Sequence, residues 1–114
     1  SVLQLSVATS YVNEQPGGME GYYVGDVGYS DLDGDGVKEE DYTIYYGYGV
    51  KVIDDNTISV LCDQFDNMQP VTYTKVADGV YERACPNGVD RITFSGSTFV
   101  FTCSDFDLQE VFKK

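Results

Sequence analysis

Short runs of β-forming residues, interrupted by turn residues about every 8–12 positions, constrain this chain more than any other feature. Apolar and polar residues alternate within these runs with the period of two that a half-buried strand requires, and no segment carries a helical stripe. We therefore predict an all-β fold, either a small antiparallel β-sandwich or a meander barrel, that forms a single domain over residues 1–114.

The strands and the turns between them can be placed from this pattern. Leu3, Leu5 and Val7 share one face of a first strand, and further strands are predicted over residues 22–29 and 42–52. Gly, Pro, Asn and Asp at the breaks between strands predict turns. These turns lie at residues 16–18, 54–56, 77–79, 86–88 and 95–97.

The charge of the chain and two absent residue types limit its chemistry. The 114 residues include 19 acids, 7 bases, no histidine and no tryptophan, for a formal net charge of −12. Without histidine there is no Ser-His-Asp or Cys-His nucleophile and no His-bound zinc or copper. Paired carboxylates could in principle hydrolyse glycosides, but 114 residues leave little room for a substrate cleft, so we expect no enzymatic activity. The negative charge opposes binding to nucleic acid or to an anionic membrane, and no apolar run is long enough to insert into a bilayer.

The segment over residues 31–41, which reads DLDGDGVKEED, is the sharpest motif in the chain. It places acids at positions 1, 3, 5 and 9, a glycine for a tight turn at position 6, and a backbone carbonyl at position 7. All of these donors are oxygen atoms, which favours Ca²⁺ over softer metals and over Mg²⁺. The predicted metal ligands are Asp31, Asp33, Asp35, Val37, Glu39, Glu40 and Asp41.

The segment resembles the calcium loop of EF-hand proteins over its first nine positions. It departs from that family at position 12, where Tyr42 replaces a bidentate Glu, and in its flanks, which are strand-like rather than helical. In this respect it is more similar to the calcium loops of integrin-type propeller blades and other extracellular β-proteins. The resemblance covers about a dozen residues and implies a metal site between two strands, with Glu40 or Asp41 supplying the remaining oxygens.

A solvated acidic turn is the alternative to a metal site, since Asp and Gly are ordinary turn residues. Six acids and one lysine leave the segment at −5, however, and like charges held so close require a counterion. A second, weaker cation site is conceivable at the acidic stretches 63–66 and 105–110, but solvated loops are the commoner outcome for such sequences.

Tyrosines and phenylalanines are segregated along the chain. Eight of the ten tyrosines lie at or before Tyr48, whereas all six phenylalanines lie at or after Phe65. Phenylalanines in the late strands are expected in the core, while tyrosines, with apolar rings and polar tips, suit a binding or interface surface. The candidate surface residues are Tyr42, Tyr45, Tyr46 and Tyr48, of which Tyr45 is predicted to face away from the other three.

Three cysteines favour one disulfide and one free thiol. Cys85 is the expected member of the pair, bonded to Cys103 or to Cys62. In a meander Cys85 lies two strands from either partner, near 9–10 Å at about 4.8 Å per strand. Such a bond would therefore require two packed sheets or a closed barrel.

Two hypotheses of function follow. The chain begins at Ser1 without a methionine, which we interpret as a processed, secreted chain. The first hypothesis is a calcium-stabilised structural or self-assembling extracellular subunit, as in a filament, surface layer or adhesive coat, whose residues 1–10 add a strand to a neighbouring copy. The alternative is a module that binds a small molecule or glycan, as a lipocalin-like barrel or a carbohydrate-binding-type sandwich. A cavity in the monomer would favour the alternative.

Overall fold

Nine antiparallel strands form the fold in the computed structural model, which describes residues 11–12, 18–86, 88–104 and 108–114. The strands are β1 (Gly21–Ser30), β2 (Glu39–Thr43), β3 (Gly47–Asp54), β4 (Thr57–Cys62), β5 (Val71–Ala77), β6 (Val80–Cys85), β7 (Gly88–Ser95), β8 (Thr98–Cys103) and β9 (Leu108–Lys113). A short 3₁₀ turn, Asp66–Met68, precedes β5. The predicted all-β fold is confirmed, and of its two forms the barrel is the one observed.

The barrel closes because β1 pairs with strands from both ends of the meander. From β3 to β9 each strand pairs with the next, while β1 pairs with β3 on one edge and with β9 on the other. Eight strands therefore form the closed wall. Strand β2 is additional, since among the described strands it pairs with β1 alone.

Strands β2 and β3 follow one another along the same edge of β1. Val27 on β1 pairs with Thr43 on β2, and Val24 pairs with Gly47 on β3. The residues between them, 44–46, leave the regular ladder, although the Ile44 amide still donates to the Asp26 carbonyl at 3.1 Å. The strand predicted over residues 42–52 is therefore interrupted in its first half.

Most predicted turns join the strands as expected. Residues 54–56, 77–79 and 95–97 form hairpin turns, with Gly79 and Gly96 in the left-handed region at φ +73° and +60°. Cys85 pairs with Gly88 around the turn predicted at 86–88, of which residue 87 lies outside the described residues. The predicted first strand within residues 1–10, and residues 16 and 17 of its turn, also lie outside the described residues. In the described ranges, no helix is both long and apolar enough to span a membrane.

The core lies inside the barrel, where alternate residues of each strand point. Ile58, Ile92, Phe99 and Phe112 are fully buried, and Phe99 stacks on Phe112 with ring centroids 4.9 Å apart. Tyr23 is also fully buried, and its hydroxyl donates to the Met19 carbonyl at 2.9 Å. The late phenylalanines are thus core residues as expected, but an early tyrosine shares the core with them.

Two glycines of β1 make room for side chains of the neighbouring segment. A Cβ atom at Gly28 would overlap with the ring of Tyr42, and one at Gly25 would overlap with Ile44. Neither glycine has a positive φ, so their role is to leave space rather than to permit a strained backbone. The ring of Tyr42 and the Cγ2 methyl group of Ile44 therefore lie directly over β1.

We predict that Gly28→Ala lowers the free energy of unfolding by about 1–3 kcal/mol, the usual cost of overpacking. Chemical denaturation of four proteins forms a double-mutant cycle: wild type, Gly28→Ala, Tyr42→Ala and the double variant. The cost of the alanine should fall sharply when Tyr42 is absent, because the overlap is then relieved. An equal cost in both backgrounds would show that Gly28 does not accommodate Tyr42.

Candidate metal centre and barrel-end cavity

The acidic segment forms the loop of the hairpin between β1 and β2. Ser30 pairs with Glu39 at the base of this hairpin, so residues 31–38 form the connection between the two strands. Gly34 and Gly36 adopt left-handed conformations, with φ of +76° and +86°. These two glycines curl the loop so that its backbone amides turn inward, because residues with a Cβ rarely adopt such angles.

Asp31 organises the inside of the loop. Its Oδ1 accepts hydrogen bonds from the amides of Gly34 at 2.9 Å and Asp35 at 3.2 Å, and its Oδ2 accepts one from Gly36 at 2.8 Å. The Gly36 amide, aided by those of Gly34 and Asp35, holds the pKa of the Asp31 carboxyl below its usual range. Asp31 is therefore kept ionised at the start of the loop.

Four of the predicted ligands converge in this loop. One carboxylate oxygen from each of Asp31, Asp33, Asp35 and Glu39 lies within 4.8 Å of the others. Glu39 reaches the group from β2, where its other contact is the Leu32 amide at 3.1 Å. Among the described residues, this is the group of side chains close enough to hold a metal ion. An all-oxygen donor set of this kind fits a hard cation.

The other three predicted ligands lie outside the four-carboxylate group. Asp41 accepts a hydrogen bond from the Ser30 hydroxyl across the hairpin. Glu40 follows Glu39 on β2, so its side chain points to the opposite face of the strand. The amide of Val37 donates to Asp35 at 2.8 Å, and coordination through the Val37 carbonyl stays a prediction.

The candidate tyrosine surface is divided by the fold. Tyr45 is 89% exposed and faces solvent, whereas Tyr48 is only 7% exposed and belongs to the core. The hydroxyls of Tyr42 and Tyr46 both point to one carboxylate, that of Glu110, to which they donate hydrogen bonds at 2.5 Å and 2.9 Å. The expected separation of Tyr45 from the other three is observed, but those three turn toward the barrel interior.

Glu110 is a feature that the sequence interpretation missed, having placed it in an acidic loop. It lies on β9 and is 7% exposed. It shares an inward face with Leu108 and Phe112, the residues two positions away. The sequence signal that could have indicated its inward position is an acid on the apolar face of a strand. Burial is the main cause that raises the pKa of Tyr46, followed by the Glu110 charge, so its hydroxyl remains a donor.

A cavity of about 260 Å³ opens beside Glu110 at one end of the barrel. Its lining combines aromatic rings with charged groups, among them Tyr46, Phe65, Phe101, Arg83, Asp90 and Glu110. This is the end at which β1 finishes, because Ser30 pairs with Leu108, another residue of the lining. The acidic loop and the cavity therefore belong to the same end of the molecule.

Arg83 and Asp90 form a second polar group in the cavity wall. Arg83 Nη2 lies 2.7 Å from Asp90 Oδ2, and Arg83 Nη1 lies 3.4 Å from Asp66 Oδ1. Burial opposes ionisation of Asp90, but hydrogen bonds from Arg83, Cys103 and Cys85 hold its pKa below its usual range. The other acid of the stretch 63–66, Asp63, accepts a hydrogen bond from Tyr22 at 2.8 Å.

All three cysteines, Cys62, Cys85 and Cys103, are free thiols, which corrects the predicted disulfide. Cys85 and Cys103 lie on β6 and β8 with β7 between them, and strands two apart are separated by about 9–10 Å. That spacing exceeds the reach of a disulfide, and closing the barrel does not shorten it. Asp90 on β7 lies between the two cysteines and accepts a hydrogen bond from each thiol.

The chain matches no protein-family model, no curated protein and no solved structure.

Thiol titration under non-reducing conditions should detect three reactive thiols per unfolded chain. In the native protein Cys62 should stay unreactive, because it is 2% exposed and burial raises the pKa of its thiol. Cys85 and Cys103 are partly exposed and should react slowly. A pre-reduced sample is the control. If the unreduced, unfolded protein exposes only one thiol and reduction restores three, a disulfide is present and the structural assignment is wrong.

Proposed function

We propose that the acidic hairpin binds one Ca²⁺ and that the protein is a calcium-stabilised extracellular β-barrel module. The observation that carries this proposal is the convergence of Asp31, Asp33, Asp35 and Glu39, whose oxygens lie within 4.8 Å of one another in an exposed loop. Four ionised carboxylates at this spacing repel one another, and a divalent cation removes that repulsion while using every one of them as a ligand.

The effect of the cation follows from the position of the loop. Of the strands that the structure describes, β2 pairs with β1 alone, and its residues other than Glu39 are exposed, so few buried contacts hold it in place. A cation coordinated by Asp31, Asp33 and Asp35 before β2, and by Glu39 at its start, ties the strand to the end of β1. The role is structural, since the paired helices that a calcium switch requires are replaced here by strands.

The assembly part of the first hypothesis concerns residues 1–10, which lie outside the described residues, and it stays a prediction. Among the described strands, β2 is the one that pairs along a single edge. Its acids Glu39, Glu40 and Asp41 discourage the addition of a foreign strand to that edge. We therefore propose the calcium-stabilised module as the function, while assembly stays a prediction. The cavity of about 260 Å³ at the end of the barrel supports the alternative hypothesis, a module that binds a small molecule, beside it.

Calcium should stabilise the wild-type protein measurably. For a dissociation constant of about 0.1–1 mM, the range of extracellular modules, about 10 mM Ca²⁺ raises the free energy of unfolding by roughly 1.4–2.7 kcal/mol over the value in chelator. Mg²⁺ at the same concentration should do less, because it tolerates a many-carboxylate cage poorly. Denaturant unfolding with and without each metal measures this.

Variants assign the effect to the loop. Asp33→Asn and Glu39→Gln keep their hydrogen-bond acceptors but remove ligand charge, and each should lose most of the calcium increment. Asp55→Asn removes the same charge from the exposed turn after β3, and this variant should retain the full calcium increment. The proposal fails if wild type unfolds identically in calcium and chelator, or if the loop variants keep the full increment.

A further inference from the structure

Glu110 is a buried carboxylate that has no basic partner among the residues the structure describes. It is 7% exposed, and its two oxygens accept hydrogen bonds from the hydroxyls of Tyr42 and Tyr46. Among the described residues, no lysine or arginine forms an ion pair with it. Buried carboxylates are normally paired with a cation, so Glu110 leaves a positive charge to be supplied.

The cavity beside Glu110 has aromatic walls. Tyr46, Tyr48, Phe65, Tyr73 and Phe101 all line it. The rings of Tyr46 and Phe65 meet edge to face, with centroids 5.2 Å apart and an interplanar angle of 86°. Aromatic faces attract a cation that has shed its water, and several rings around one space are the usual means of holding an ammonium group.

The charges of the cavity wall also favour a cationic ligand. Arg83 is the basic residue of the lining, and Asp90 and Asp66 already pair with it, which leaves the carboxylate of Glu110 in excess.

We propose that the barrel-end cavity binds a small organic cation, an alkylammonium compound. Its ammonium group lies against the aromatic rings next to Glu110. The hydroxyls of Tyr42 and Tyr46 hold the carboxylate of Glu110 in position for this contact. The cavity volume of about 260 Å³ limits the ligand to a small molecule. None of the four carboxylates of the proposed calcium loop lines this cavity.

The test compares choline with its neutral isostere 3,3-dimethyl-1-butanol, which has the same shape and the same hydroxyl. Isothermal titration calorimetry on the full chain, once in calcium and once in chelator, measures both affinities. Choline should bind saturably and at least about tenfold more tightly than the neutral alcohol. Equal affinities, or no saturable binding of choline in either condition, would overturn the proposal. Loss of calcium binding alone would bear on the loop and not on the cavity.

Three variants locate the binding site. Glu110→Gln preserves volume and should weaken choline binding by about tenfold or more. Phe101→Leu removes one aromatic wall and should weaken it by about threefold or more, which provides a second reading if the glutamine variant does not fold. Asp78→Asn removes a charge from the turn between β5 and β6, at the other end of the barrel, and should bind choline as wild type does. Unchanged binding in the folded Glu110 and Phe101 variants contradicts the proposed site.

Discussion

Strand β1 is paired along both of its edges, with β9 on one side and with β2 and β3 on the other. This double pairing turns a meander into a closed barrel, and it satisfies backbone groups that would otherwise form open sheet edges. The same strand carries Gly25 and Gly28, which leave room for Ile44 and Tyr42 to cross it. Both the hairpin and the cavity wall therefore depend on the packing around β1.

The two candidate sites are joined through that strand. Ser30 pairs with Glu39 of the acidic hairpin and with Leu108 at the cavity, so one residue of β1 adjoins both. Tyr42 pairs with Gly28, which in turn pairs with Glu110 on β9. The tyrosine ring lies over the glycine, and its hydroxyl reaches the carboxylate two strands away. A cation that steadies β2 would thus also steady one of the two donors that position Glu110.

Local sequence pattern was enough to predict much of this fold. Alternation in the segment around Ile92 marks a strand with one buried face, and the turn residues at 77–79 and 95–97 mark the ends of strands. The acids of the loop converge because their spacing is local as well. The pairing of Val24 with Lys113 is different, since it joins the two ends of the described barrel and depends on a register that no local pattern encodes.

The features that sequence reasoning missed share this non-local origin. Alternation in β9 would have put Glu110 on the inward face, yet its partners Tyr42 and Tyr46 are brought to it only when the barrel closes. The disulfide was expected from a cysteine count, whereas the structure places Asp90 between Cys85 and Cys103 as their shared hydrogen-bond acceptor. Glu110 is thus a buried strand residue where a solvated loop was predicted. Asp90 is a buried hydrogen-bond acceptor where a disulfide was predicted.

Amide hydrogen exchange at Ile44 tests most directly whether a cation in the acidic hairpin holds the segment after it against β1. The Ile44 amide donates to the Asp26 carbonyl beside the hairpin, and the Phe94 amide, which donates to the Gly79 carbonyl at the other end of the barrel, is an internal reference. Calcium should slow exchange at Ile44 by about tenfold or more relative to Phe94, and chelator should reverse the change. Equal exchange at Ile44 in calcium and in chelator would contradict the account.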